Sequence, residues 1–170
     1  MLVQDGLKVA HSEGDEPEDK EQVYLKLLTL IERLHRQLLD VIKNELDRVG
    51  QSDVNAVQAL LLYNIGDAEL TAGELRTRGH YLGSNVSYNL KKLVEAGYIR
   101  HERSETDKRS VRVSLTDEGF DVRDKIAHLF DRHLASVEKV GDVSSEMMER
   151  TNVTLARMER FWADQVRFQL

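Results

Sequence analysis

One short stretch of the sequence, GSNVSYNLKKLVEAGYI at residues 83–99, combines a regular apolar pattern with an unusual set of polar side chains. Val86, Leu90 and Leu93 recur at helical spacing, with Val94 beside them, and they predict a helix with one buried face. The opposite face and its flanks carry hydroxyl, amide, phenol and ammonium groups, at Ser84, Asn85, Ser87, Tyr88, Asn89, Lys91 and Lys92. A helix that is merely solvated would carry more charge there.

These side chains suit the base edges and the phosphates of a duplex. Serine and asparagine both donate and accept hydrogen bonds, and asparagine can pair with adenine through two bonds at once. Lysine favours phosphates, and tyrosine reaches either a phosphate or a thymine methyl group. The alternative is structural: Ser84 and Asn85 cap the helix, while Lys91 and Lys92 are solvated. The sequence therefore offers two interpretations of this face, contact with DNA or ordinary exposure.

Three long helices are predicted outside this stretch. Apolar residues at helical spacing indicate one over residues 23–50, and its stripe is wider than a single face. Thr116 caps a second long helix, which ends at residues 141–142, and a last helix starts at Ser144 or Ser145. Helices with such broad apolar stripes usually pack against more than one partner.

Shorter elements fill the middle of the chain. Ser52 and Asp53 can cap a helix over residues 54–65, and Thr71, with a glutamate three positions on, can cap a short helix over 71–78. The helix at residues 83–95 comes next.

A β-hairpin is predicted to follow that helix. Gly97 occupies the position of a left-handed C-terminal cap. Val111, Val113 and Leu115 alternate with polar residues, which is the period of a half-buried strand, and a first strand precedes them beyond a polar, charged loop. The order of helix, helix, short helix, amphipathic helix and hairpin predicts a winged helix-turn-helix. The fold class is thus mainly α with a small β-hairpin wing (α+β), carried on a helical dimerisation region.

The hairpin sequence TDKRSVRVSLTDEG, residues 106–119, resembles the wing of the MarR family of bacterial transcriptional regulators. The family pattern there is D-x-R, then a strand, then L-T-x-x-G. The residues that fall in register are Asp107, Arg109, Val113, Leu115, Thr116 and Gly119. Matching elements extend over residues 22–166, and the LdtR-like branch, linked to cell-wall and stress genes, is the nearest likeness within the family.

The resemblance implies a homodimer that binds a pseudo-palindromic DNA operator, with a role as a repressor. In the family the wing arginine enters the minor groove and the aspartate holds the wing in shape, roles that carry over to Arg109 and Asp107. A guanidinium suits a narrow A·T-rich groove because the negative potential is deepest there. Arg103 and Lys108 are further candidate wing contacts, and the alternative is an ordinary charged hairpin tip. Family members also bind small aromatic or phenolic effectors, but the sequence does not indicate the pocket.

Two departures from the family pattern concern the turn before the recognition helix. Gly79 and His80 stand where the family has an apolar residue and then glycine, and Leu82 replaces the usual serine cap. Gly83 or Ser84 must then cap the helix. Because the first two turns of the helix lack arginine, the side chain that most often reads guanine, we expect an A·T-rich operator.

The charge distribution supports a nucleic-acid partner although the net charge is −6. Residues 71–116 contain nine Lys or Arg against five Asp or Glu, a local balance of +4, so the rest of the chain carries −10. A chance cluster on a solvated surface is the alternative. Neither a long apolar run nor a signal-peptide pattern is present, which predicts a cytoplasmic protein without a membrane partner.

An enzyme is not expected from this sequence. The six histidines are scattered, and His128 and His133 lie five positions apart, so they do not share a helix face as metal ligands would. No phosphate-binding or nucleophile-elbow motif occurs, and with no cysteine the chain has no thiol chemistry. We therefore expect no cofactor and no metal. The serious rival is a winged-helix module for protein assembly that does not contact DNA.

The chain divides by these predictions into four segments. Residues 1–22 are a mobile acidic tail, 23–50 a dimerisation helix, 51–117 the winged helix-turn-helix and 118–170 the C-terminal dimerisation helices. The terminal helices hold more apolar surface than a wing-sized core can cover, so two copies are expected to pack them together. A monomer with an intramolecular bundle is the alternative.

Overall fold

The computed structural model describes residues 19–71, 74, 83–103 and 111–168, with only the backbone of 83–86, 103 and 111. The described part is mainly helical, with a small antiparallel sheet, and this confirms the predicted fold class. In chain order its elements are α1 (Lys20–Arg48), α2 (Ala56–Ile65), β1 (Leu70–Thr71), α3 (Gly83–Glu95), β2 (Ile99–Arg103), β3 (Val111–Leu115), α4 (Asp117–Gly141) and α5 (Ser145–Phe168). The described residues divide into two compact units, with the boundary between Asp40 and Val41.

Helix α1 begins earlier than the sequence predicted. Its first residue is Lys20, so residues 20–22, which we assigned to the tail, are helical. Asp19 accounts for the early start, because its carbonyl accepts from the N–H of Val23 and its carboxylate from that of Glu21. The rest of the predicted tail lies outside the described residues.

The part of α1 that lies in the first unit exposes much of its apolar stripe. Its exposed large apolar side chains are Val23, Tyr24, Leu25, Leu30, Leu34 and Leu38. They recur on the predicted helical spacing. Leaving them in water is costly, at about 25 cal/mol for each Å² of apolar surface.

The predicted cap of α2 was wrong. The N-cap is Asn55, whose side chain accepts from the N–H of Gln58 at 2.9 Å, while the Gln58 side chain accepts from the N–H of Asn55 at 3.1 Å. This reciprocal capping box satisfies two N–H groups that the first turn leaves without helical partners. Asp53 is not the cap because its carboxylate bonds elsewhere, to Gln51 and Tyr98.

The sheet has three strands rather than the two of the predicted hairpin, in the order β1-β3-β2. The added strand β1 pairs Leu70 with Val113. Only two residues long, β1 is too short to show a strand period in the sequence. Thr71 also forms the predicted capping box with Glu74, since its N–H and hydroxyl donate to the Glu74 carboxylate at 2.7 and 2.9 Å. The rest of the third helix predicted over 71–78 lies outside the described residues, as does the turn that holds Gly79, His80 and Leu82.

A tight junction joins α3, β2 and α4. Gly97 has a φ of 84°, and the next N–H, of Tyr98, donates to the carbonyl of Leu93 at 2.9 Å, which confirms the predicted left-handed cap. The hydroxyl of Thr116 donates to the carbonyl of Gly97 at 2.7 Å and accepts from the N–H of Gly119 at 3.2 Å. The predicted cap of α4 therefore also anchors the turn after α3.

The core of the second unit lies between the end of α1, α2, α3, the sheet and α4. Its most buried large side chains are Ile42, Leu46, Leu61, Leu62, Ile65, Leu93, Val113, Val122 and Ile126. Val113 and Leu115, two of the predicted alternating apolar residues of β3, face this core. This core supports α3 from beneath.

A buried carboxylate links the end of α1 to α4. The side chain of Glu45, only 6% exposed, accepts from two nitrogens of Arg48 at 2.7 and 2.8 Å. Arg132 on α4 approaches it to 2.8 Å. The hydrogen bonds from Arg48, and then the bond and charge of Arg132, lower the pKa of Glu45 to about 2 against the opposing effect of burial.

Helix α5 buries none of its side chains within the single chain. It starts where predicted, since Asp142 adopts the left-handed conformation and the hydroxyl of Ser144 accepts from the N–H of Met147. Its exposed large apolar residues are Met147, Val153, Leu155, Phe161, Val166 and Phe168. An amphipathic helix of this length normally buries its apolar stripe.

Candidate nucleic-acid interface

Helix α3 is fixed by its apolar side. Leu93 is 1% exposed, Leu90 is buried and Val94 is half-buried against the same core. This agrees with the helical wheel, and only the side chain of Val86 lies outside the described part. Because the inner face is held by packing, the direction of the outer face is set as well.

The outer face of α3 presents its polar side chains to solvent. Tyr88 is 62% exposed, and Ser87, Lys91 and Lys92 are also exposed. Asn89 differs from the others because it is half-buried. The side chains of Ser84 and Asn85 fall outside the described residues, so their part in the face stays a prediction.

A carboxylate that the sequence analysis overlooked stands beside the two lysines. Glu95 lies 3.8 Å from the ammonium of Lys91 and 3.2 Å from that of Lys92. Glu95 follows Lys91 by four residues and Lys92 by three, and side chains at these spacings are neighbours on a helix. The ion pairs could therefore have been predicted from the sequence. Glu95 neutralises part of the positive charge that Lys91 and Lys92 give this face.

We expect the substitution Glu95→Gln to tighten duplex binding by about 2- to 5-fold at low salt, since an exposed ion pair contributes roughly 0.2–1 kcal/mol. A neutral amide does not form an ion pair with the two lysines, so their ammonium groups can contact phosphates instead. The substitution also removes a negative charge that repels DNA. The gain should shrink as salt screens the charges. Fluorescence anisotropy with a labelled duplex measures it.

The matched control is Glu146→Gln on α5, which removes an exposed carboxylate that lies 3.9 Å from the guanidinium of Arg150. This control should leave duplex affinity unchanged. Equal gains for both variants would show that only net charge matters, and a loss for Glu95→Gln would contradict the assignment of this face.

The hairpin carries charge on its described strands. Arg112 on β3 reaches Glu69 at 3.4 Å, and Arg100 on β2 lies 4.0 Å from Glu102. The two strands pair from Ile99 with Leu115 through to Arg103 with Val111. The side chain of Arg103 is outside the described part, and so are Asp107, Lys108 and Arg109. Their contacts with DNA stay predictions.

A cavity of about 510 Å³ lies between α3 and the sheet. Its described lining combines the apolar Leu90, Val94 and Val113 with the polar or charged Ser87, Lys91, Glu95 and His101. A pocket that combines apolar surface with a few polar groups is typical of a small-molecule site. It borders the same helix that carries the exposed polar face.

Within the described ranges, no group of three or more His, Cys, Asp or Glu residues is arranged to hold a metal ion. Likewise, none of the helices described here is long and apolar enough to span a membrane.

Comparison with known proteins agrees with this architecture. Residues 52–110 match the model of the MarR family. The chain is 36% identical over 154 residues to the exopolysaccharide II synthesis transcriptional activator ExpG of Rhizobium meliloti (strain 1021), covering 89% of this chain and 77% of ExpG.

Solved structures share the fold. A variant of MarR from E. coli complexed with operator DNA has a TM-score of 0.66 at 21% identity, covering 83% of this chain and 99% of that one. FabT from Streptococcus pneumoniae, in complex with DNA, has a TM-score of 0.62 at 25% identity, with 83% and 98% covered. Because its winged region matches the family model and it is 36% identical to ExpG over 89% of its length, the chain belongs to the MarR family of transcriptional regulators.

Proposed function

We propose that this regulator binds double-stranded DNA in a sequence-specific manner, with α3 in the major groove and the hairpin in the minor groove. The observation that carries the proposal is the outer face of α3, where Tyr88, Lys91 and Lys92 stand in solvent over a well-packed inner face. Two proteins of the same fold, MarR of E. coli and FabT, were solved with DNA. An exposed polar helix of this kind fits the width of the major groove.

Each candidate side chain has a role that its chemistry supports. The short hydroxyl and amide groups of α3 contact base edges, Tyr88 a thymine methyl or a phosphate, and the lysines phosphates. In the wing, Arg109 enters the minor groove and Asp107 restrains it, while Arg103 and Lys108 contact the backbone. The proposed base contacts from α3 are Ser84, Asn85, Ser87 and Asn89.

The regulator acts as a homodimer in this proposal. Its support is the apolar surface that the single chain leaves exposed on the first half of α1 and along α5. Residues 23–50 and 118–170 are then the dimerisation segments, 51–117 the DNA-binding segment and 1–22 the tail. A symmetric dimer reads a pseudo-palindrome whose half-sites lie about 34–36 Å apart.

The remaining features of the proposal concern the operator and its control. The operator is A·T-rich, since none of the candidate DNA-contacting residues of α3 is an arginine, the side chain that most often reads guanine. A small aromatic or phenolic effector modulates binding, and the cavity between α3 and the sheet is a candidate place for it. The resemblance predicts repression, whereas ExpG is an activator, and a promoter–reporter assay separates the two. The cytoplasmic location and the likeness to the LdtR-like branch stay predictions.

Selection of tight binders from a randomised duplex library tests the proposal, followed by anisotropy titration over a salt series. We expect an inverted repeat with A·T-rich half-sites and an affinity that falls steeply with salt, because each neutralised phosphate releases counterions. The variant Arg109→Ala should weaken binding by about 10-fold, within the roughly 1–3 kcal/mol of a good groove contact.

The control is Arg150→Ala on α5, which removes an exposed arginine from a helix that does not contact DNA in the proposal. It should bind the selected operator as the unmodified chain does. Sedimentation equilibrium of the free protein should give twice the mass of one chain. Binding without sequence preference, or none at low salt, would reject a DNA-reading role and favour the protein-assembly module.

A further inference from the structure

A buried tyrosine ties the end of α3 to another part of the second unit. Tyr98 follows the glycine that ends α3 and is only 7% exposed. Its hydroxyl donates to the carboxylate of Asp53 at 2.5 Å. The amide of Gln51 donates to that carboxylate at 2.7 Å and to the tyrosine oxygen at 2.9 Å. The segment between α1 and α2 is thereby bonded to the residue that follows the C-terminal cap of α3 and precedes β2.

The same group of side chains extends to α4. The ammonium of Lys125 donates to the side-chain oxygen of Gln51 at 2.8 Å and to the carboxylate of Asp121 at 2.6 Å. Gln51 thus accepts from α4 through its oxygen and donates to Asp53 and Tyr98 through its nitrogen. One continuous set of hydrogen bonds joins the α1–α2 segment, the end of α3 and α4.

The protonation states in this set favour strong bonds. Burial, and next the adjoining Asp53 carboxylate, raise the pKa of Tyr98 to about 12. The hydrogen bond from Tyr98 lowers the pKa of Asp53. At neutral pH a neutral phenol therefore donates to a charged carboxylate, and such charge-assisted bonds are shorter and stronger than neutral ones.

These bonds add a directional restraint to the apolar packing of α3. Burial of Leu90 and Leu93 sets which face of the helix points outward, but the hydrophobic effect itself is not directional. Hydrogen bonds weaken steeply when their angle is lost, so a connected set at one end of a helix restricts its orientation. The N–H of Tyr98 donates to the carbonyl of Leu93, so the restraint reaches the C-terminal end of α3 through Tyr98.

We infer that Gln51, Asp53, Tyr98 and Lys125 form a polar clamp that fixes α3 relative to α4, and so sets the separation of the two α3 helices in the dimer. This inference rests on the proposed function, in which α3 reads DNA and α4 belongs to the dimerisation segment. The four residues are positioning residues and do not touch DNA.

The clamp should matter only when both α3 helices bind at once. On a single half-site only one α3 binds, and the whole protein can reorient on the DNA whatever the angle between α3 and α4. A full palindrome requires two α3 helices at one fixed spacing. Once the first α3 is bound, the second binds its half-site at a high effective concentration only if that spacing is maintained. Loosening the clamp should therefore lower affinity for the full operator and leave half-site affinity unchanged.

The experiment compares dissociation constants for a full-operator duplex and a half-site duplex, both taken from the selected motif. Two variants cut the clamp at different places: Tyr98→Phe keeps the buried ring and removes the hydroxyl, and Lys125→Gln cuts the link to α4 without changing the ring. We expect each to lower full-site affinity by about 10-fold and half-site affinity by less than about 2-fold.

Matched controls make the same chemical changes outside the clamp. Tyr63→Phe removes a hydroxyl from a ring of α2 that packs edge-on against Phe130. Lys139→Gln removes an ammonium from the same helix as Lys125. Both controls should keep the ratio of full-site to half-site affinity of the unmodified protein.

Equal losses on the two duplexes would overturn the inference, because a merely destabilised fold lowers the active fraction for both alike. Unchanged full-site binding by Lys125→Gln would overturn it as well, even if Tyr98→Phe failed to fold. If the unmodified chain bound neither duplex, the proposed function itself would fall, and no variant would be needed to show it.

Discussion

Replacing Gly119 by alanine is expected to lower the free energy of unfolding by about 3 kcal/mol, at the upper end of what overpacking usually costs. A Cβ at this position would overlap the carbonyl oxygen of Tyr98 and come within 3.2 Å of the Leu115 side chain. That carbonyl is already held, since it accepts from the N–H of Thr116 at 3.1 Å. Because the clash is with a backbone atom, the start of α4 must move away from the carbonyl of Tyr98.

Urea denaturation followed by circular dichroism measures this loss. Gly141→Ala is the control on the same helix, because its Cβ would meet only methyl groups of Val137 and Val143 at 3.8 Å, an ordinary contact. It should be neutral or slightly stabilising, since alanine is favoured over glycine in helices by up to about 1 kcal/mol. No loss for Gly119→Ala, or a similar loss for both variants, would show that the close approach to Tyr98 does not explain the glycine.

The pH dependence of stability should reveal the buried carboxylate of Glu45. Its pKa in the folded chain is about 2, below the ordinary value of 4.5, so the folded state favours the ionised form. The stabilisation is therefore fully present above pH 4.5 and is lost as the pH falls towards 2. We expect Glu45 to contribute about 2–3 kcal/mol, less than the full pKa difference implies because its arginine partners are half exposed.

Denaturation curves of the unmodified chain and Glu45→Gln between pH 2 and pH 7 test this. At pH 7 the variant should be less stable by about 2–3 kcal/mol, as a buried ion-pair partner is lost, and the two curves should converge near pH 2. The control Glu32→Gln removes an exposed partner of Arg36, 3.3 Å away, and should change stability by less than about 0.5 kcal/mol. A constant difference between the curves at all pH values would contradict the assigned pKa.

Gly119 and Glu45 stabilise the second unit, and neither contacts DNA in the proposal. The glycine keeps α4 against the turn after α3, and the carboxylate keeps the end of α1 against α4. Both lie in the second unit, where α3 presents its polar face. A loss of either contact should weaken duplex binding in proportion to the loss of folded protein, unlike a cut in the polar clamp.

The sequence alone determined the features that depend on near neighbours in the chain. Four predicted features are observed: the buried and exposed sides of α3 over residues 87–95, the left-handed cap at Gly97, the cap of α4 at Thr116 and the capping box at Thr71. Each involves residues no more than five positions apart, so helical spacing and residue type suffice. The outward direction of Tyr88 follows from the same periodicity.

Only the tertiary structure decided which distant groups meet. Strand β1 exists because β3 lies beside it, and Asp53 is a partner of Tyr98 rather than a helix cap because α3 ends next to it. Likewise Glu45 is charged in the core because α4 brings Arg132 to it. A polar residue in a sequence can satisfy its hydrogen bonds in several ways, and packing of the apolar faces selects one of them. The local sequence pattern therefore identifies the helices, the hairpin and the exposed face of α3. The long-range contacts that orient this face, such as those of Tyr98 with Asp53 and Gln51, are determined only by the tertiary structure.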